Sequence, residues 1–133
     1  MHLIIICYND RIQHIYKYDS NNNIIEELFY DSNDSLYYYF IIKYDSNNNE
    51  IERSHYKSDG SLNWQRFYKY DSHNNIIESS DGSLEAGYRI YKYDTNNNMI
   101  ETLGQNWENA EWVTTWKSTY TYDENNNQIE YLS

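Results

Sequence analysis

The sequence predicts an all-β fold: an antiparallel meander of tandem β-hairpin repeats forming a curved, twisted sheet. Three observations predict it. A Tyr-Asp pair followed by an Asn-rich turn recurs five times, and apolar residues alternate at period two, most clearly from Trp112 to Tyr122. Tyrosine alone supplies 17 of the 133 residues, and it is a strand former with a wet tip. Apolar area carried by phenol rings suits a thin, half-solvated sheet better than a thick aliphatic core. The chain, residues 1–133, reads as a single repeat domain of about five hairpin units and roughly ten strands.

Taken in order, the first element is Leu3-Ile4-Ile5-Ile6-Cys7, an uncharged run of high β-propensity that reads as an edge strand. It is too short for the apolar region of a signal peptide, and no run approaches the roughly 18 apolar residues of a membrane span. The repeats follow as Tyr16 to Glu26, Ile42 to Glu52, Tyr68 to Glu78, Tyr91 to Glu101 and Tyr120 to Glu130. Their aspartates, Asp19, Asp45, Asp71, Asp94 and Asp123, are separated by 26, 26, 23 and 29 residues. A fixed motif at unequal intervals places the length variation in the second loop of each unit. These loops are Asp31-Ser32-Asn33-Asp34, Ser58-Asp59-Gly60-Ser61, Ser80-Asp81-Gly82-Ser83 and the stretch around Asn109. Each unit is therefore strand, Asn-rich turn, strand, Asp-Gly-type turn. Asn and Asp accept left-handed backbone angles, which is how a chain with 4 glycines makes so many turns.

Register follows from chemistry. A four-residue loop, Ser20-Asn21-Asn22-Asn23, closed by Asp19 and Ile24 sets Tyr18 opposite Ile25 and Lys17 opposite Glu26. The first pairing recurs as Tyr44 with Ile51, Tyr70 with Ile77, Tyr93 with Ile100 and Tyr122 with Ile129. The second recurs as Lys43 with Glu52, Lys69 with Glu78 and Lys92 with Glu101, while Thr121 faces Glu130 in the last unit. Aromatic with β-branched and Lys with Glu are both favourable cross-strand pairs. Side-by-side hairpins then alternate Lys and Glu along one face, with no like charges adjacent.

The string Tyr-x-Tyr-Asp-x-Asn-Asn-Asn-x-Ile-Glu resembles the YD repeats of rearrangement-hotspot (RHS) and teneurin-type proteins. It is more similar still to the Asn-rich YD-type repeats of bacterial surface-exported proteins. The resemblance runs from about residue 12 to 131. The glycine of the family pattern falls on Asn22, Asn48, Asn74, Asn97 and Asn126, where asparagine stands in as the next most tolerant residue at positive φ. The resemblance implies a hairpin sheet, an extracellular or cell-surface setting, and a role in enclosing or adhering. Five hairpins are too few to close a shell.

Function is narrowed by composition. With 21 acidic against 10 basic side chains the formal charge is −11, which repels nucleic acid and anionic lipid. Asp, Lys and Glu recur at equivalent positions, whereas an active site needs an asymmetric cluster. His2, His14, His55 and His73 share no catalytic or metal spacing, and Cys7 stands alone, so no enzyme activity and no cofactor is expected. Asp19, Asn21 and Asn23 resemble the start of a calcium loop, but position six is Ile24 and position twelve carries no carboxylate. His73 replaces one Asn ligand in the third turn. Capping of each turn by its Asp is the preferred reading.

Two features break the repeat. The run Tyr37-Tyr38-Tyr39-Phe40-Ile41-Ile42 is apolar on both faces and calls for two covers. Trp107, Trp112 and Trp116, with Trp64 more distant, are the candidate binding residues, because exposed aromatic rows stack on sugars or anchor proteins. Trp112 and Trp116 are expected on the same face as Tyr120 and Tyr122. The chain is thus expected to be a non-catalytic binding or adhesion scaffold for a protein or glycan. The alternatives are a structural spacer or shell segment of a larger YD-repeat protein, or a weak calcium-binding repeat. Self-association is expected through the edge strands or through Tyr37–Ile42.

Overall fold

The computed structural model describes residues 2–8, 12–82 and 87–133, with the backbone alone for 2–8 and 12. Ser83 and the side chains of Leu3 to Cys7, on which parts of the sequence reading fall, lie outside the described residues. The strands are β1 (His2–Tyr8), β2 (Ile12–Tyr18), β3 (Ile24–Tyr30), β4 (Leu36–Tyr44), β5 (Glu50–Lys57) and β6 (Leu62–Tyr70). They continue as β7 (Ile76–Ser80), β8 (Tyr88–Tyr93), β9 (Met99–Glu108), β10 (Glu111–Tyr122) and β11 (Gln128–Leu132). Hydrogen-bonded neighbours follow chain order from β1 to β11, and every described pairing is antiparallel. The predicted meander is therefore present, with β1 added before the five hairpins. The chain divides into two compact units, Met1–Arg66 and Phe67–Ser133.

In the first unit the Asn turns differ from the expected form. Asp19 N–H donates to Asn23 O at 3.0 Å, and Asn22 takes φ 65°. The loop is thus three residues, Ser20-Asn21-Asn22, a type I turn followed by a left-handed residue. Asp19 enforces it: its Oδ1 accepts N–H of Asn21 (2.8 Å) and Asn23 (2.9 Å), and its Oδ2 accepts Asn23 Nδ2 (3.1 Å). Tyr18 consequently pairs with Ile24, not Ile25. Ile25 is an extra residue, a β-bulge, and beyond it Lys17 meets Glu26 as expected, at 2.5 Å. The bulge recurs in every repeat: Tyr44 pairs with Glu50, Tyr70 with Ile76, Tyr93 with Met99 and Tyr122 with Gln128. The charge rungs all hold, with Lys43–Glu52 and Lys69–Glu78 at 2.8 Å and Lys92–Glu101 at 2.6 Å.

Neighbouring repeats are tied by side chains. Tyr44 Oη donates to Ile24 O at 3.0 Å in the first unit. In the second, Tyr93 donates to Ile76 O at 3.1 Å and Tyr122 to Met99 O at 2.9 Å. The carbonyls accepted sit just after the preceding turn, beside the bulge.

Aliphatic core is almost absent: among the described residues Ile42, 2% exposed, is the one buried apolar side chain. The other buried positions are small: the polar Ser54, Thr102 and Ser118, and Gly104. Much of the remaining apolar area is half-buried, side chain against side chain along the strands, and the rest, such as Tyr37 and Ile129, is exposed. The doubly apolar strand β4 shows the side-by-side packing. Tyr39 stacks on Tyr56 at 4.9 Å and 10°, while Tyr38 stacks on Phe29 at 4.4 Å.

Candidate aromatic binding face

The four tryptophans do not form one group. In the second unit, Asn109 and Ala110 both take positive φ (50° and 67°) in a two-residue turn, which sets Trp112 directly opposite Trp107. Their rings meet edge to face at 5.2 Å, and Tyr88 joins Trp112 at 5.0 Å. Trp116 lies elsewhere. Thr115 is a bulge between the pairs Thr114 with Gln105 and Trp116 with Gly104. Because Gln105 and Gly104 point to opposite faces, the bulge moves Trp116 to the face opposite Trp112. The expectation that these two share a face is thus overturned. Trp107 and Trp112 are 39% exposed and Trp116 45%.

Trp116 lies over Gly104, where an added Cβ would come within 2.0 Å of its Nε1. On the Trp107–Trp112 face, Glu101 is held between Lys92 (2.6 Å) and Lys117 (2.5 Å). Hydrogen bonds from Lys117 and Lys92 draw its carboxyl below the ordinary glutamate value. Tyr88 Oη donates to Glu78, and burial together with that bond pushes the phenol up to about 12.

Trp64 belongs to a larger arrangement in the first unit that single-strand reasoning missed. Register aligns Tyr16, Glu27, Phe40 and His55 in one rank across β2 to β5, and His14, Phe29 and Tyr38 in the next. Six rings make contact on five strands. His14 meets Phe29 at 4.3 Å, Phe29 meets Tyr38 at 4.4 Å, and Tyr38 meets His55 at 5.1 Å. Phe40 stacks on His55 at 4.8 Å, and His55 meets Trp64 at 5.4 Å. Every one of these rings is partly exposed. Burial pushes the His55 imidazole below its ordinary value, which favours the neutral ring in the middle of the row. Asn63 Nδ2 lies 2.9 Å from its Nδ1.

Polar groups border the row. Arg53 donates to Glu50 (2.9 and 2.8 Å) and reaches Glu27 at 3.4 Å, and its guanidinium is raised first by the bond to Glu50. At the opposite end, a groove of about 500 Å³ opens beside His14, Phe29, Tyr30, Asp31, Tyr37 and Tyr38. The size is within the range of small-ligand sites.

The turn aspartates cap their own turns. Asp45, Asp71, Asp94 and Asp123 repeat the Asp19 pattern, both carboxylate oxygens accepting bonds from their own turn. This is the Asx cap, which holds each turn through donors of the chain itself.

No family model and no curated protein matches the sequence. Solved structures do match its fold. Chains of the crystal structures of TcdB2-TccC3-Cdc42, of TcdB2-TccC3 and of TcdB2-TccC3 without its hypervariable C-terminal region superpose with a TM-score of 0.57 each. Their identities to this chain are 14%, 16% and 15%. Each match covers 90% of this chain and 8% of the other, so the sequence corresponds to a small fraction of those chains. At such identity the likeness is one of fold, the antiparallel β-hairpin meander that the recurring Tyr-Asp turns predict.

Proposed function

We propose that this β-repeat module is non-catalytic and binds a partner, a glycan or a protein surface, through the aromatic row of its first unit. One observation carries the reading: six partly exposed rings in continuous contact from His14 to Trp64. Contiguous ring faces on a rigid sheet are pre-organised for stacking on a sugar or for seating apolar side chains. The row is bordered by Arg53, Glu27 and Asn63, which supply hydrogen bonds for orientation. The net charge of −11 disfavours nucleic acid on any face.

Titrating oligosaccharides and peptides while following tryptophan fluorescence tests this. A saturable change that Trp64→Ala weakens at least ten-fold, with circular dichroism unchanged, is the expected result. Full binding by the variant would sink the assignment to this row.

A second reading, a spacer or shell segment, is favoured by the bonds that tie repeat to repeat, such as Tyr44 to Ile24. It predicts that no soluble ligand perturbs either Trp64 or Trp112.

A further inference from the structure

The two ends of the aromatic row differ in charge. At the β5 and β6 end the rings already hold cations of the chain itself. Arg53 Cζ lies 5.8 Å from the Phe40 centroid and Arg66 Cζ lies 5.0 Å from that of Trp64. At the β2 to β4 end none of the residues lining the 500 Å³ groove is Lys or Arg. Tyr37 is the extra residue of a bulge between the pairs Phe29 with Tyr38 and Tyr30 with Leu36. A bulge re-aims a side chain, and both Tyr37 and Tyr38 border the groove, their rings 5.2 Å apart at 60°. Tyr37 is 69% exposed. Asp31 stands at the rim, its carboxylate accepting N–H of Ser35 (3.0 Å) and Asn33 (2.8 Å). That leaves an anion fixed in a groove lined by aromatic rings.

The geometry points to a site for a quaternary ammonium group, of the trimethylalkylammonium type carried by choline, in the groove lined by the rings of Phe29, Tyr37 and Tyr38, with Asp31 as counter-charge. This deepens the binding reading above and rests on it. Ring quadrupoles attract a cation, and the two arginines show that rings of this same row do so. A quaternary ammonium fits better than a primary amine or a metal ion, because it has no N–H to satisfy and loses little hydration on entering an apolar groove. The chain's charge of −11 favours the cation and opposes a phosphate attached next to it.

The test uses the full chain and follows the NMR signals of Tyr37, Tyr38 and Trp64. Choline is compared with its neutral isostere 3,3-dimethyl-1-butanol, with phosphocholine, and with neutral oligosaccharides. The inference expects saturable choline shifts at Tyr37 and Tyr38, with the isostere and phosphocholine each at least ten-fold weaker. Asp31→Asn, which keeps the turn acceptor and removes the charge, should weaken choline several-fold. Tyr37→Ala, at an exposed position, should abolish the shifts with the fold intact. Equal binding of choline and isostere, equal binding of choline and phosphocholine, or silence to choline would each overturn the assignment. If choline is silent while an oligosaccharide or peptide perturbs Trp64, only this inference falls. Silence of both ends to every probe defeats the binding reading as well.

Discussion

Asn23 Nδ2 donates to Asn48 Oδ1 at 2.8 Å, so the residue that takes the left-handed angle in one turn is the acceptor for the turn before it. The bond recurs from Asn75 to Asn97 at 3.2 Å and from Asn98 to Asn126 at 2.9 Å. Glycine fits that backbone but has no acceptor. The asparagines at the left-handed turn position are therefore linkers between repeats as well as residues that tolerate positive φ.

Substitution at Asn48 separates these roles. Asn48→Ala loses both the acceptor and the tolerance of positive φ and should cost about 1–2 kcal/mol. Asn48→Gly loses the acceptor alone and should cost about 0.5 kcal/mol, the bond being exposed. Urea unfolding midpoints read the difference. If Asn48→Gly is more stable than the parent, the ladder contributes less than the backbone strain it accompanies.

The turn aspartates predict an acid limit. The Asp45 carboxyl is held below its ordinary value of 3.8, chiefly by the Asn49 N–H, and Asp19, Asp71, Asp94 and Asp123 are lowered in the same sense by their own turns. A folded-state value below the unfolded one gives stability that is present above about pH 4. It is lost as pH falls through the folded-state value. Melting temperature should hold from pH 7 to about 4.5 and decline below that. Asp45→Asn should flatten the decline; a parent profile level down to pH 2 would contradict the capping account.

The same caps predict indifference to calcium. The Asp19 turn is held by the chain's own donors, Asn21 and Asn23 bonding to the carboxylate, so its stability does not depend on an ion. Melting temperature should be the same in millimolar calcium and in excess chelator, and a clear rise with calcium would revive the metal-binding alternative.

What could be read from the sequence, and what could not, divides along physical lines. The Lys17–Glu26 class of rungs was legible because complementary charge recurs at one spacing in four repeats. The partner of Tyr18 was not, because the bulge at Ile25 is made by backbone bonding in the Asp19 turn and leaves no mark on side-chain period. The bulge at Thr115 concealed the face of Trp116 for the same reason. The row from His14 to Trp64 depends on the register of five strands at once. Each of its residues looks ordinary alone, although a His or aromatic on every strand from β2 to β6 was the signal available.

Association remains a proposal, and the edges say where to test it. β1 and β11 are the terminal strands of the order, and β11 is exposed throughout, with Ile129, Tyr131 and Leu132 at 63%, 53% and 59%. Such edges template further pairing. Light scattering at micromolar concentration should give a mass above the 16.2 kDa of one chain. Ile5→Lys and Ile129→Lys each should shift it downward if the respective edge pairs, whereas a parent mass of one chain defeats the proposal.

Trp116 and Gly104 decide whether an exposed tryptophan is a ligand contact or a filler. Gly104 has no positive φ that would call for glycine, so space alone explains it: a Cβ would lie 2.0 Å from Trp116 Nε1 and 2.1 Å from Cε2. An indole lying on a strand glycine covers backbone that would otherwise be bare. Gly104→Ala must swing the ring away and should cost about 1–2 kcal/mol, with a red shift in tryptophan emission as the indole enters water. In a Trp116→Ala background the clash is gone, and the same Gly→Ala change should become neutral or stabilise by about 0.5 kcal/mol, the usual gain in a strand. A coupling of that size in the double-mutant cycle identifies Trp116 as packing for this sheet. No coupling means that the ring leaves its glycine freely, and Trp116 would then stand with Trp107 and Trp112 as a side chain available to a partner.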